Sequence, residues 1–447
     1  MSTSAVPGPT AGPDMKSVER ATLSKVRRRL LPIIAVLYFI AFLDRNNVGF
    51  AKLTMGPDVG LTEAAFGFGA GVFFIGYALF EVPSNAGMVH FGARKWIARI
   101  MISWGIVSTA MIFTTGPTSF AVLRFLLGVA EAGFFPAMIF YLTLWFPQKV
   151  RVTVLGTFIL AQPISNAIGA PLSGAILAMP EFLGVQDWQW LFIIEGVPAI
   201  VLGVLVPRLL TDRPEEASWL SETERGWLTS TIAHENSLVA QTGHGRFLDG
   251  LKDSRVWAYA MLNFGMVCGI YGFGLWLPTV IKSLGQFSTI QVGLISVIPY
   301  GAAAIFLYLW ARNSDRTGLR AAHAAASMVL AAVGLVAAGL AAGSSPVLAL
   351  FFLTIAAMGV YSATAPLLAM PASVFVGAAA AAGIGLVNAV GNVGGFVAPY
   401  AVGLINQATG GTRISLFFLA GLLVLTAAAT ILYAGRRPEG RVQVVDR

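Results

Sequence analysis

Four ionisable residues, Asp44, Arg45, Arg124 and Glu131, interrupt stretches of chain that are otherwise apolar. Their types suit two tasks: holding a carboxylate and moving a proton. A planar guanidinium grips a carboxylate through two parallel hydrogen bonds. An acid beside that arginine becomes easier to protonate when the arginine changes partner, because a nearby positive charge has been withdrawn. Two acids and two bases can therefore pair in an empty site, and a ligand carboxylate that takes one arginine pushes an acid toward its neutral form. Anion and proton are then linked. Arg124 and Glu131 lie seven residues apart, which sets them two turns apart on one helix face. Asp44 and Arg45 are adjacent and followed by Asn46 and Asn47. We assign carboxylate binding to Arg45 and Arg124, and proton coupling to Glu131, nearest the bilayer midplane, and Asp44. Two readings compete: static ion pairs that pin the first helix to the fourth, and an Asp44–Arg45 pair shallow enough to be hydrated.

Further polar residues in apolar blocks are candidates to line the same cavity: Tyr77, Gln162, Tyr361, Ser362, Thr364, Asn388 and Asn392. Each also suits the plainer task of joining helices. Glu81 and Glu195 read as gating or packing groups. Prolines 163, 171, 278 and 366 would let helices bend during a gating movement.

Other chemistries find little support. The glycine strings at 67–71 and 391–395 sit inside apolar helical blocks and lack the Lys-Ser/Thr of a phosphate loop, so they read as close helix packing. The single cysteine, Cys268, lies in an apolar run, and the four histidines show no ligand spacing. No metal and no cofactor are expected, and nothing points to ATP.

The elements that must position these residues are membrane helices. Only 11% of the 447 residues are charged and 56% are hydrophobic, against roughly 25% charged in an ordinary soluble domain. The apolar residues arrive in blocks of about 20, enough to cross a hydrocarbon core about 30 Å thick. A charge near the centre of such a helix costs about 2.5–3.5 kcal/mol, so its retention marks a pathway or a partner. The blocks predict helices at 30–52, 65–85, 96–114, 119–143, 151–178, 189–210, 256–281, 290–311, 321–342, 346–370, 381–407 and 413–434. The fold is therefore expected to be an all-α membrane protein of twelve transmembrane helices.

Of 29 Lys and Arg residues, Lys52, Lys282 and Arg413 fall on the expected outer side and Arg45 and Arg124 deep within helices; the rest lie on the side expected to be cytoplasmic. This bias accounts for the net charge of +8 without nucleic acid, and predicts both termini inside. Residues 1–29 form a cytoplasmic segment without the apolar stretch of a signal peptide. Residues 30–210 and 256–434 form two six-helix bundles, joined by a polar linker at 211–255 and followed by a tail at 435–447. The linker holds a capping-box pattern at Ser221–Glu224, which predicts a short amphipathic helix, although a merely solvated connector fits as well. Bundles of nearly equal length suggest duplication. A local repeat agrees: Gly92 and Arg94 in one tight basic loop correspond to Asp315, Arg316 and Gly318 in the other half. Either loop alone is also explained by positive-inside charge.

Segments 38–55, 73–85, 91–100, 123–147, 188–199 and 210–228, including FLDRNN and FFIGYALFEVPSN, resemble the anion:cation symporter family of the major facilitator superfamily, nearest its tartrate, phthalate and 4-hydroxyphenylacetate permeases. The resemblance implies two pseudo-symmetric six-helix bundles around a central cavity, alternating access, and proton-driven uptake across a bacterial inner membrane. It also implies proton and carboxylate roles for Asp44, Arg45, Arg124 and Glu131, and substrate contacts at Tyr77, Gln162 and Asn392. One departure stands out: the family's loop acid, three residues before Gly92, is here Val89. The expected function is a proton-coupled symporter of a small organic carboxylate, tartrate-like or a sugar acid, acting as a monomer in the lipid bilayer with the small organic anion and protons as partners. An aromatic carboxylate symporter and an uncoupled facilitator or exchanger are the alternatives.

Overall fold

The structure, a computed structural model, describes residues 13–242, 254–374 and 378–434. Residues 1–12 of the N-terminal segment, 243–253 of the linker and the whole 435–447 tail lie outside the described residues. The helices follow one another as twelve passes. Span 1 is Pro13–Asp58, span 2 Glu63–Phe91, span 3 Ala93–Thr109, span 5 Gln148–Ile176 and span 6 Asp187–Leu209. Span 4 is broken into Pro117–Glu131 and Phe134–Trp145. After a linker helix, Glu222–Thr242, come span 7 (Ser254–Gly274 and Leu277–Ser283), span 8 (Thr289–Thr317) and span 9 (Arg320–Ala341). Span 10 (Pro346–Ser362 and Thr364–Val374), span 11 (Ala378–Thr409) and span 12 (Arg413–Ala434) complete the set. Among the described residues ten stretches are long and apolar enough to cross a membrane; spans 1 and 5, packed among them, bring the passes to twelve.

The pairing of spans repeats with an offset of six. Span 3 packs on 6 as 9 packs on 12, span 2 on 4 as 8 on 10, and span 1 on 5 as 7 on 11. The halves meet through spans 2 and 11 and through spans 5 and 8. Glycine makes the second meeting possible: a Cβ on Gly174 would stand 2.7 Å from the Thr289 carbonyl oxygen and 3.0 Å from the Gly293 Cα. Backbones this close gain the dispersion contacts that hold helices together where lipid offers no hydrophobic drive. Near the Asp58 end of span 1, the buried Lys52 pairs with Glu63 at 2.7 Å, donates to Thr279 Oγ1 at 3.3 Å and lies 4.2 Å from the Trp276 ring centre. Lys52 therefore ties the first half to the second.

Two elements differ from the sequence expectation. Span 1 starts at Pro13 rather than at residue 30, because its polar first half is rich in helix formers and has an apolar stripe, with Leu23, Val26 and Leu30 buried. Lys25 on that half pairs with Glu224 of the linker helix at 2.9 Å. Span 4, expected to run unbroken from 119 to 143, stops at Glu131. Ala132 takes an extended ψ of 131° and Gly133 a left-handed φ of 86° before the helix resumes.

Candidate functional site

Adjacent residues on a helix point about 100° apart, and the structure accordingly sends Asp44 and Arg45 to different partners. Asp44, 1% exposed, faces span 3. Trp104 Nε1 donates to its Oδ2 at 2.8 Å, Ser108 Oγ donates to Oδ1, and Asn47 Nδ2 reaches Oδ1 at 3.4 Å. All three donors are neutral, so this carboxylate is held by hydrogen bonds rather than by a salt bridge. Arg45 faces the centre. Its Nη2 pairs with Glu131 Oε1, and its Nη1 donates to the Tyr271 hydroxyl of span 7 at 3.1 Å. The guanidinium lies 5.4, 5.4 and 5.3 Å from the ring centres of Phe42, Phe73 and Tyr77. Arg45 thus touches both halves of the molecule.

Glu131 is fully buried at the break in span 4, and its second oxygen, Oε2, has no hydrogen-bond partner. Arg124, also fully buried, stands 4.9 Å from the Phe73 ring centre and donates from Nη2 to the Ala70 carbonyl at 3.4 Å. Its Nε and Nη1 are unpartnered. Arg124 makes no ion pair within 4.0 Å among the described residues, so the four charges form one pair and two separate ions rather than two pairs. Phe73 lies close to both guanidiniums.

A central cavity opens between the halves, with an empty volume of about 820 Å³ that includes space open to solvent. Of the expected lining residues, Arg45, Tyr77, Gln162, Thr364, Asn388 and Asn392 line it. Asp44, Arg124 and Glu131 stand behind the wall. Tyr361 and Ser362, each 1% exposed, do not reach it. Tyr361 instead accepts a hydrogen bond from Asn166 Nδ2 at 3.1 Å, and Asn166 accepts from Asn46 at 2.8 Å, which joins span 10 to spans 5 and 1. The reason is rotational: Tyr361 and Thr364 are three residues apart but flank a helix interruption at Ala363.

Sequence reasoning missed Tyr38, Asn263 and Tyr271 as lining residues. Tyr271 sits in the glycine-rich string Gly269–Gly274, where the close approach of neighbours was a readable signal; Tyr38 and Asn263 gave none. The partner of Glu81 was also unforeseen: its carboxylate accepts from Asn388 Nδ2 at 2.6 Å and from Asn392 Nδ2 at 3.3 Å. Glu195 is fully buried, and its carboxylate accepts from Ser173 Oγ at 2.8 Å.

In the first basic loop, Gly92 has a left-handed φ of 88°. Arg94 pairs with Asp212 at 3.1 Å, and its backbone N–H donates to the same carboxylate at 2.9 Å. Asp212, just after span 6, thus supplies an acid to the loop that follows Val89 at the end of span 2. In the second loop Gly318 caps span 8 with φ 70°, while Asp315 and Arg316 are exposed and make no ion pair among the described residues. Arg320 there donates to the Ala369 carbonyl at 3.3 Å and ties the loop to span 10.

Comparison with known proteins gives a consistent result. A sequence profile described as Major Facilitator Superfamily matches residues 34–288 and 281–446. The chain is 49% identical over 432 residues to an Agrobacterium vitis protein named "Putative tartrate transporter", covering 96% of this chain and 99% of that one. It is 41% identical over 428 residues to an Acinetobacter baumannii protein named "Quinolone resistance transporter", covering 96% and 98%. Its fold is similar to that of a bacterial homologue of the human lysosomal transporter Spinster in an inward-facing, occupied conformation, with a TM-score of 0.73 and 16% identity over 92% of this chain and 97% of the other. At that identity the likeness is one of fold alone.

Proposed function

The chain belongs to the Major Facilitator Superfamily, as an anion:cation symporter-like transporter and not an enzyme, and we propose that it imports a small organic carboxylate together with protons by alternating access. The pair between Arg45 and Glu131 carries this reading, because Arg45 lines the cavity while Glu131 stands behind it. A ligand carboxylate entering the cavity competes with Glu131 for the same guanidinium. Once displaced, Glu131 is a buried acid with no cation in contact, and binding a proton removes the cost of that isolated charge. The loaded carrier is then electrically balanced at this site and can reorient. On the other side the ligand leaves, Glu131 releases its proton and re-pairs with Arg45, and the empty carrier returns. Asp44, held by neutral donors on the far side of span 1, is the second acid that can follow the charge of Arg45 and Arg124. The proton gradient supplies the energy, with no cofactor, and one chain suffices because its two halves build the cavity.

The positive-inside bias supports cytoplasmic termini and linker in a bacterial inner membrane, with Lys52, Lys282 and Arg413 outside. The name of the Agrobacterium vitis relative, "Putative tartrate transporter", supports a hydroxylated acid, a class that includes both dicarboxylates and sugar acids with a single carboxylate. A second reading, an aromatic carboxylate, draws on the rings of Phe42, Tyr77, Phe134 and Phe135 along the cavity. A thermal-shift screen of organic acids separates the two, since a ligand at 100 times its Kd adds about 2.7 kcal/mol to stability.

Glu131→Gln tests the coupling, because it keeps shape and hydrogen bonding but fixes the charge at zero. Proteoliposomes carrying it should exchange labelled substrate for unlabelled yet fail to accumulate it under an imposed proton gradient. Accumulation equal to that of the unaltered protein would make Glu131 a structural partner and leave an uncoupled facilitator or exchanger.

A further inference from the structure

We propose that Glu81 sets the specificity of the cavity: by fixing the amides of Asn388 and Asn392 it makes the span 11 wall a set of hydrogen-bond acceptors, which admits a hydroxyl and turns away a second carboxylate. Glu81 lies one turn beyond Tyr77 on span 2 and is 5% exposed. Its two oxygens accept from Asn388 and Asn392, residues four apart on one face of span 11. Unlike a displaced Glu131, the Glu81 carboxylate keeps two amide donors, which favour its charged form, and an ionised carboxylate can only accept. Both amides must therefore turn their NH₂ groups toward Glu81, and their carbonyl oxygens are left for the cavity that both residues line. Glu81 makes no ion pair within 4.0 Å among the described residues. Arg45 and Tyr77 are the charged and titratable side chains toward it from spans 1 and 2, and only amides meet it from span 11.

The cavity is polarised as a result. Arg45 gives the first half a cation with paired donors, and the second half gives carbonyl oxygens backed by a negative charge. A ligand with one carboxylate and a hydroxyl at its far end meets complementary groups at both ends. A ligand with carboxylates at both ends sets its second charge against two acceptors and Glu81, where few waters screen the repulsion. This narrows the transport reading above from hydroxylated acids in general to those with a single carboxylate, and rests on it, since Arg45 must hold the first carboxylate.

L-Threonate and L-tartrate make the test direct, because they share a carbon skeleton and differ in a terminal CH₂OH or carboxylate. At pH 8 one is a monoanion and the other a dianion. Titration calorimetry on the purified full chain should find threonate bound at least about tenfold more tightly, the size expected for a like-charge juxtaposition. Glu81→Gln removes the charge and lets both amides rotate to donate, so the ratio should fall to about threefold or less. Asn388→Ala, which removes one oriented amide, should shift the ratio in the same direction and covers the case in which Glu81→Gln does not fold. Equal binding of the two acids by the unaltered protein, or an unchanged ratio in both variants, overturns the proposal. Arg45→Lys separates it from the transport reading: that variant should weaken both acids and preserve their ratio. If it weakens neither, the carboxylate assignment of Arg45 falls while the ratio still judges Glu81. If neither acid binds, both fall.

Discussion

Replacing Arg45 by lysine keeps a positive charge and removes a geometry. Arg45 uses Nη1 on Tyr271 and Nη2 on Glu131 while its flat face lies among Phe42, Phe73 and Tyr77. A ligand carboxylate that displaces Glu131 meets a fork of two parallel donors, whereas a lysine ammonium presents a point charge. One charge-assisted hydrogen bond is then lost, about 1.5–3 kcal/mol, or roughly 10- to 150-fold in Kd at 1.4 kcal/mol per factor of ten. The ligand-free protein should be less affected, because the ammonium can still pair with Glu131 and spares it the penalty of an uncompensated buried charge. Calorimetric titration with the acid that stabilises the unaltered protein most, beside thermal unfolding without ligand, reads both quantities. A Kd within about threefold of the unaltered protein, with the fold intact, would remove Arg45 from the carboxylate site. A collapse of the ligand-free protein would instead make the Arg45–Glu131 pair a structural pin.

Two further outcomes follow from contacts away from the cavity. In Gly174→Ala the new methyl would meet backbone of span 8 at 2.7 and 3.0 Å, with no flexible side chain to yield; overpacking of about 1–3 kcal/mol should part the halves, and thiol labelling of a cysteine at position 46 from the Lys52 side should rise several-fold. Unchanged labelling would show that spans 5 and 8 do not close that side. At the linker helix, the backbone N–H of Ser221 and then Lys25 hold the Glu224 carboxyl below its usual range. A lowered folded-state value stabilises above the unfolded value of 4.5 and is lost as pH falls through the folded one. Hydrogen-exchange protection in the first turn of Glu222–Thr242 should therefore be steady from pH 7 to 5 and fall below pH 4.5, by about 1 kcal/mol or less for an exposed cap. Glu224→Gln, which removes the titrating carboxyl, should flatten that profile, and an unaltered profile would deny Glu224 its role in the capping box.

Sequence by itself determined which stretches are helices and which charges lie within them. Apolar blocks of spanning length are local patterns, and lipid requires any backbone that crosses it to satisfy its own hydrogen bonds, so each block had one available form. The equal halves, the capping box at Ser221 and Glu224, and the candidates Arg45, Tyr77, Gln162, Asn388 and Asn392 were legible for the same reason: a polar residue in an apolar helix must face something other than lipid. What each one faces was not legible. Asp44 and Arg45 are neighbours in sequence, yet one turns to Trp104 and Ser108 and the other to Glu131 and Tyr271. Asp212 meets Arg94 from the other end of the first bundle, and Glu81 meets Asn388 across 307 residues of chain. Only the tertiary structure decides such pairings, because they depend on how far each helix is rotated about its axis and where it breaks. Rotation is set by the packing of all neighbouring helices together, as at Gly174 and Gly293, and breaks such as Ala132–Gly133 are set by the partners on either side.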